Sequence, residues 1–224
     1  VGRVWQKSEL LTLLAIAKKH DLIILADEIH ADLVYRDAKH QTLSRLVLEA
    51  DQSPSLLYEQ HKIITAVSPS KTFNIPGLGL SALIVPNEGY RKAIQSHLSS
   101  LGVSETNPFS LIAFEAAYRE GGDWLKALMT YLQKTCDEAI SFISTHLPRI
   151  NVVRPQGTYL LWLDCRKLIL GDEALNLFFV QEVQLGLSSG AMFGRGGEGF
   201  MRMNIATPRA NVMAALMRLK SSLS

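Results

Sequence analysis

Three short apolar runs, each ending abruptly on polar residues, restrict the fold of this chain. Leu22-Ile23-Ile24-Leu25-Ala26 stops at Asp27-Glu28, Lys62-Ile63-Ile64-Thr65-Ala66-Val67 stops at Ser68-Pro69-Ser70-Lys71, and Leu80-Ser81-Ala82-Leu83-Ile84-Val85 stops at Pro86. Runs of this length are too short for helices, and their lack of alternation predicts strands buried on both faces, as in a parallel sheet. Helical patterns surround them. Ser8 is a favourable N-cap for SELLTLLAIAKKH, whose last turn holds Lys18, Lys19 and His20, where cations suit the helix dipole. Helical periodicity returns over about 87–101, 107–120 and from Trp124 to about His146, which Pro148 closes.

The last third reads differently. Asn151-Val152-Val153, Thr158 to Asp164 and Phe200 to Ile205 have strand character, with helices expected near 172–183 and 209–222. The fold class is therefore α/β, with a mostly parallel sheet in residues 1–120 and a smaller α+β unit in 121–224, the boundary falling near Gly121-Gly122.

Composition narrows the function. A chain of 224 residues, 47% hydrophobic and 20% charged, is neither disordered nor fibrous. Lys+Arg 23 against Asp+Glu 21 gives a net charge of +2 with no basic cluster, so neither nucleic acid nor a membrane is an expected partner, and a small molecule is. Cys136 and Cys165 stand far apart without a nearby His/Cys set, which predicts reduced core thiols and no metal. No apolar run reaches the roughly 18 residues that span a bilayer, and no secretory pattern opens the chain, so a soluble cytoplasmic protein is expected. The start at Val1-Gly2-Arg3, entering a helix at once, reads as a piece of something longer.

Ligands of open parallel sheets sit beyond the carboxyl ends of the strands, here Asp27 and Ser68-Pro69-Ser70-Lys71. A lysine just past a strand is usually a solvated surface group. Partly desolvated, it is a nucleophilic amine able to condense with a carbonyl, and an acid at a neighbouring strand end can hold a protonated ring nitrogen.

Asp27-Glu28-Ile29-His30-Ala31-Asp32 and Ser68-Pro69-Ser70-Lys71-Thr72-Phe73-Asn74-Ile75-Pro76-Gly77 resemble two signature stretches of pyridoxal-phosphate enzymes of the aspartate-aminotransferase fold (class I/II aminotransferases). More narrowly, the chain is similar to the cystathionine β-lyase, or C–S lyase, branch known as the MalY/PatB group. The likeness continues through Pro155-Gln156-Gly157-Thr158-Tyr159-Leu160-Leu161-Trp162-Leu163-Asp164 and Gly199-Phe200-Met201-Arg202-Met203-Asn204-Ile205-Ala206, four motifs in order along nearly the whole chain.

The resemblance implies roles. Lys71 matches the catalytic lysine that holds pyridoxal phosphate and then moves the Cα proton, and Asp27 matches the carboxylate facing the pyridine nitrogen. His30 stands where the lyase branch has a histidine beside the cofactor's phenolic oxygen, in place of the broader family's tyrosine. Ser68 and Ser70 match hydroxyls that bond the phosphate, although either also suits a simple turn cap. Arg202 matches the arginine that grips the substrate α-carboxylate bidentately.

Two departures accompany the match. The aminotransferases' phosphate-clamping arginine, eight positions beyond the lysine, is here Gly79, which favours the lyase branch. The family's N-terminal segment, with its phosphate-cradling loop and ring-stacking aromatic, has no counterpart, so the chain is expected to be roughly the C-terminal three-fifths of an enzyme, Val1-Gly2 ending an Asn-Pro-rich motif.

Other patterns weigh less. Gly194-Arg195-Gly196-Gly197-Glu198-Gly199 fits GxGxxG but precedes a strand, which reads as a glycine-rich turn. Asp27, His30 and Asp32 lack a fourth metal ligand. Trp124 and Tyr131 are expected in the core, and Trp162 packed on its strand.

The leading expectation is a C–S lyase acting on cystathionine or a related cysteine conjugate. An aminotransferase shares the same lysine, an effector-sensing domain of a regulator shares the same fold, and a chain lacking the phosphate cradle is a third case, inert by itself. A homodimer is implied by the resemblance.

Overall fold

The computed structural model describes residues 1–50, 61–103 and 106–223. It forms two compact units, Val4–Lys126 and, together with Val1–Arg3, Ala127–Ser224.

The first unit contains α1 (Lys7–Lys19), β1 (Ile24–Asp27), α2 (Leu43–Ala50), β2 (Ile63–Val67), β3 (Ala82–Ile84), α3 (Glu88–Ser100) and α4 (Pro108–Glu120). Helix α1 starts one residue before Ser8, because Glu9 turns back to accept the backbone N–H of Gln6 at 2.8 Å and so supplies the cap. Helix α2 was not expected from periodicity. Its first N–H, on Leu43, donates to Glu28 Oε1 at 3.1 Å, while Glu28 Oε2 pairs with His40 Nε2 at 3.1 Å. Glu28, at the end of the first apolar run, is thus a helix cap.

The sheet order is β1-β2-β3, with β1 parallel to β2 and Asp27 opposite Ala66. β3 runs antiparallel to β2, contrary to the parallel reading. The segment between them holds only turns, among them the 3₁₀ turn Pro76–Leu78 ended by Gly79 at φ 59°, and no crossover helix of the kind that usually carries a parallel return. Leu10, Leu14, Leu43, Leu46 and Val47 bury one sheet face around Ile63, Ile24 and Ala26. At about 1.5–3 kcal/mol for each large side chain removed from water, this cluster is what fixes β1 beside β2. The other face is open: Leu25 is 65% exposed and Leu83 44%. The expected two-faced burial therefore holds on one face of β1 and β2 only, and on neither face of β3, where Ile84, on the side of Ile63, is also exposed.

The second unit contains α5 (Gly122–His146) from Ala127 onward, β4 (Asn151–Val152), β5 (Leu160–Asp164), α6 (Asp172–Leu177), β6 (Ser188–Ser189), β7 (Phe200–Asn204) and α7 (Arg209–Leu223). Helix α6 continues as a π-helical turn, Phe178–Glu182, which together fill the expected 172–183 helix. The sheet is antiparallel in order β4-β5-β7-β6. Leu161, Leu163, Met201 and Met203 are buried on one face, while Trp162 and Arg202 lie opposite each other on the other. Both cysteines are buried and outside any disulfide among the described residues, and burial, with Asp164 adding, pushes the Cys165 thiol up to about 12.

Two aromatic side chains expected in the core are exposed. Trp124 packs its ring on Phe73, and Tyr131 places its hydroxyl on the Arg209 N–H at 2.6 Å and its ring under the Arg209 guanidinium. Each keeps one specific contact, a tilted ring pair for Trp124 and a backbone hydrogen bond with a cation over the ring for Tyr131, while the rest of the side chain stays in solvent. Among the described residues, no helix is long and apolar enough to cross a membrane.

Candidate active site

Because β1 and β2 are parallel neighbours, their carboxyl ends bring Asp27 and the Ser68–Lys71 turn to the same sheet edge. Asp27 is exposed, its Oδ1 accepts the Ile29 N–H at 3.2 Å, and among the described residues it enters no ion pair. This small Asx turn opens the loop that carries His30. Burial lowers the His30 pKa, the nearby Lys71 cation lowers it further, and Asp27 opposes both. The imidazole therefore lies within the fields of both groups, and the three form one electrostatic cluster.

The Lys71 turn is held from within. Phe73 N–H donates to Pro69 O at 2.8 Å and Ile75 N–H to Ser70 O at 3.1 Å. Ser68 is buried; its hydroxyl donates to Leu80 O at 2.8 Å and accepts the Ser70 N–H at 3.2 Å. Its single proton is thus engaged within the protein, and it reaches an anion only by redirecting that proton. Ser70 and Lys71 remain partly exposed.

An amine, an unpaired carboxylate, an imidazole depressed toward its neutral form and a partly exposed hydroxyl, gathered at one strand edge, fit the donor set that pyridoxal phosphate requires: carbonyl, pyridine nitrogen, phenolic oxygen and phosphate.

In the second unit, Arg202 on β7 stands opposite Trp162 and Ser188. Its guanidinium lies 4.6 Å from the centroid of the Phe193 ring, and its Nη2 donates to Ser188 Oγ at 3.3 Å. Among the described residues no carboxylate pairs with it. Tyr159 is pushed up by burial while Arg202 pulls it back, so the phenol is also near. The glycine-rich turn precedes β7 as expected, with Gly194, Gly196 and Gly199 at positive φ.

Sequence reasoning did not single out Ser188, Phe193 or Tyr159 around Arg202, nor the pairing of Thr72 with Asp32 at 3.0 Å beside Lys71. A two-residue strand such as β6 carries no periodicity, so the Ser188–Arg202 register had no signal. Thr72 and Asp32 did lie inside the two quoted motifs, and a hydroxyl adjoining the lysine was the available cue.

Comparison with known proteins agrees with this geometry. The chain is 38% identical over its full length to cystathionine β-lyase PatB of Bacillus subtilis, covering 55% of that protein, and 32% identical over 94% of its length to the protein MalY of Escherichia coli, covering 51% of it. Among solved structures it is similar to cystalysin of Treponema denticola, which contains a pyridoxal 5′-phosphate cofactor, with a TM-score of 0.92 and 32% identity over 99% of this chain and 54% of that one. The chain spans about half the length of these relatives. The family model for aminotransferase class I and II matches residues 1–219. With its fold shared by pyridoxal-phosphate enzymes and its strand-end cluster in that order, the chain belongs to the class I and II aminotransferase family.

Proposed function

We propose that this chain forms part of the active site of a pyridoxal-phosphate C–S lyase that cleaves cystathionine or a related cysteine conjugate to pyruvate, ammonia and a thiol. The observation that carries this reading is the parallel pairing of β1 and β2, with Asp27 opposite Ala66, which sets Asp27, the His30 loop and the Lys71 turn at the same end of neighbouring strands. The identity to PatB over the whole chain supports the lyase branch.

Pyridoxal phosphate, when bound, supplies an electron sink for the charge that develops at the substrate Cα. The Asp27 carboxylate, in no ion pair among the described residues, would hold a proton on the pyridine nitrogen. His30, whose pKa burial and then Lys71 lower, would donate to the phenolic oxygen. Ser70 would donate to the phosphate, while Ser68 holds the turn or would redirect its proton to the same anion. Lys71 Nζ would hold the cofactor and, released when the substrate amine takes its place, would accept the substrate Cα proton as the β-thiolate departs. Arg202 grips the α-carboxylate, oriented by Ser188 and the Phe193 ring. In this reading residues 1–120 are the remainder of the cofactor-binding large domain and 121–224 the small domain of a cytoplasmic homodimer.

The test is titration with pyridoxal phosphate, borohydride reduction and peptide mapping, with Lys71→Ala as control. Label confined to Lys71 and lost in the variant, with pyruvate and thiol released from cystathionine, is the expected result. Label scattered over surface lysines overturns the cofactor assignment. Glutamate formed from 2-oxoglutarate without thiol release assigns an aminotransferase instead.

A further inference from the structure

Lys71 is followed by two side chains that the fold anchors firmly. Thr72 is 0% exposed, and its hydroxyl donates to Asp32 Oδ2 at 3.0 Å. The Phe73 ring meets Tyr118 edge-on at 5.8 Å and Trp124 at 5.8 Å, and it lies so close to Gly121 that a Cβ there would overlap it. Asn74 then takes a left-handed φ of 54°, turning the chain away. Asp32 belongs to the loop after β1 that opens at Asp27 and carries His30. The Thr72–Asp32 bond therefore joins the loop bearing Asp27 and His30 to the turn bearing Lys71. Thr72 is fully buried while Asp32 is exposed, so the bond ties a solvent-facing loop to an interior side chain, and as a hydrogen bond to a charged group it is stronger than a neutral one. Tyr118, pushed up first by burial and then by the Asp32 charge, puts that carboxylate beside the aromatic group that holds Phe73.

We propose that Asp32 is a positioning residue: through the Thr72 hydroxyl, its carboxylate sets where Lys71 stands relative to Asp27 and His30. Its bearing on catalysis rests on the role proposed above for Lys71; the tie between the two loops does not.

Four variants of the full chain test it. Thr72→Val removes the donor at nearly constant shape and Thr72→Ser keeps it; Asp32→Ala removes the acceptor and Asp32→Asn keeps an accepting oxygen without the charge. Two quantities are read: amide hydrogen exchange at Phe73 and Ile75, and the rate at which borohydride-trapped pyridoxal phosphate accumulates on Lys71 at saturating cofactor. Thr72→Val and Asp32→Ala are expected to exchange about tenfold faster at those amides and to label about tenfold more slowly. Thr72→Ser and Asp32→Asn are expected to stay within about threefold of the parent on both, with α1 and β2 amides unchanged throughout. The proposal is overturned by a Thr72→Val protein that exchanges or labels like the parent, by a Thr72→Ser protein as impaired as Thr72→Val, or by faster exchange spread evenly through α1 and β2. A parent chain that takes no label on Lys71 would defeat the cofactor reading, and the exchange measurement would still decide whether the tie exists.

Discussion

His30 shows what a single side chain in this site can be made to report. Its folded pKa lies below the ordinary value near 6.5, through burial first and the Lys71 charge second, with Asp27 opposing. The unfolded chain therefore binds the proton more readily than the folded one. Stability should rise with pH through the window below 6.5, level off above it, and be lost as acid forces a proton onto the buried ring. Urea unfolding of the parent chain and of His30→Gln at intervals from about pH 5 to pH 7.5 checks this. The variant should lose the part of the acid-side slope that belongs to this ring, and an unchanged slope would mean that His30 titrates freely. At this scale the strand ends pointed to Asp27 and Lys71 as candidates, while His30 was singled out only through the resemblance of its motif to the lyase branch. The sequence left Ser68 ambiguous between phosphate ligand and turn cap, because the acceptor of its proton, Leu80 O, lies on the far side of a turn whose course no local pattern records.

Among the elements, the glycine-rich segment before β7 is the most demanding. A Cβ on Gly197 would run into the Gly190 carbonyl and the Ala191 backbone, and one on Gly190 would run into the Gly197 carbonyl. Two backbones thus touch with no flexible side chain able to yield. The 3₁₀ turn that begins at Gly190 ends in Phe193, the ring beneath Arg202. Gly197→Ala should therefore cost about 3 kcal/mol, at the upper end of overpacking effects, and should move Phe193 away from the guanidinium. Urea unfolding gives the first quantity, and loss of the ring-current shift on the Arg202 side-chain protons gives the second. Gly194→Ala, whose Cβ meets nothing within 4 Å, separates packing from backbone strain, since Gly194 sits at φ 104°. The sequence excluded a nucleotide loop here from context alone, a strand following the glycines where a helix is needed. The reason for Gly197 itself was not legible, because its partner Gly190 is brought to it by tertiary packing. Helix α2 escaped for a related cause: its N-terminus is capped by Glu28 from the end of β1, not by a residue next to it in sequence.

For the whole molecule, the apolar runs identified the strands correctly but overstated how much of each this chain covers. Leu25 and Leu83 point to the same side of the first sheet through their partners Ile64 and Ala66, and that side is open, whereas Ile24, Ala26 and Ile63 are packed against α1 and α2. Periodicity records that both faces of a strand are apolar. It cannot record which part of a protein supplies the cover, and this chain spans about half the length of its relatives. The two faces should consequently answer differently to the same change. Leu25→Lys places a charge at a position 65% exposed and should shift stability by no more than about 0.5 kcal/mol. Ile63→Ala, at 1% exposed within the cluster, should cost about 2–5 kcal/mol through lost burial and the cavity left behind. Urea unfolding of the two variants beside the parent decides the matter. A large penalty for Leu25→Lys would mean that the face is covered in solution, by a second copy if the penalty fades on dilution, while equal small effects would mean that the α1–α2 side is not the core of this unit.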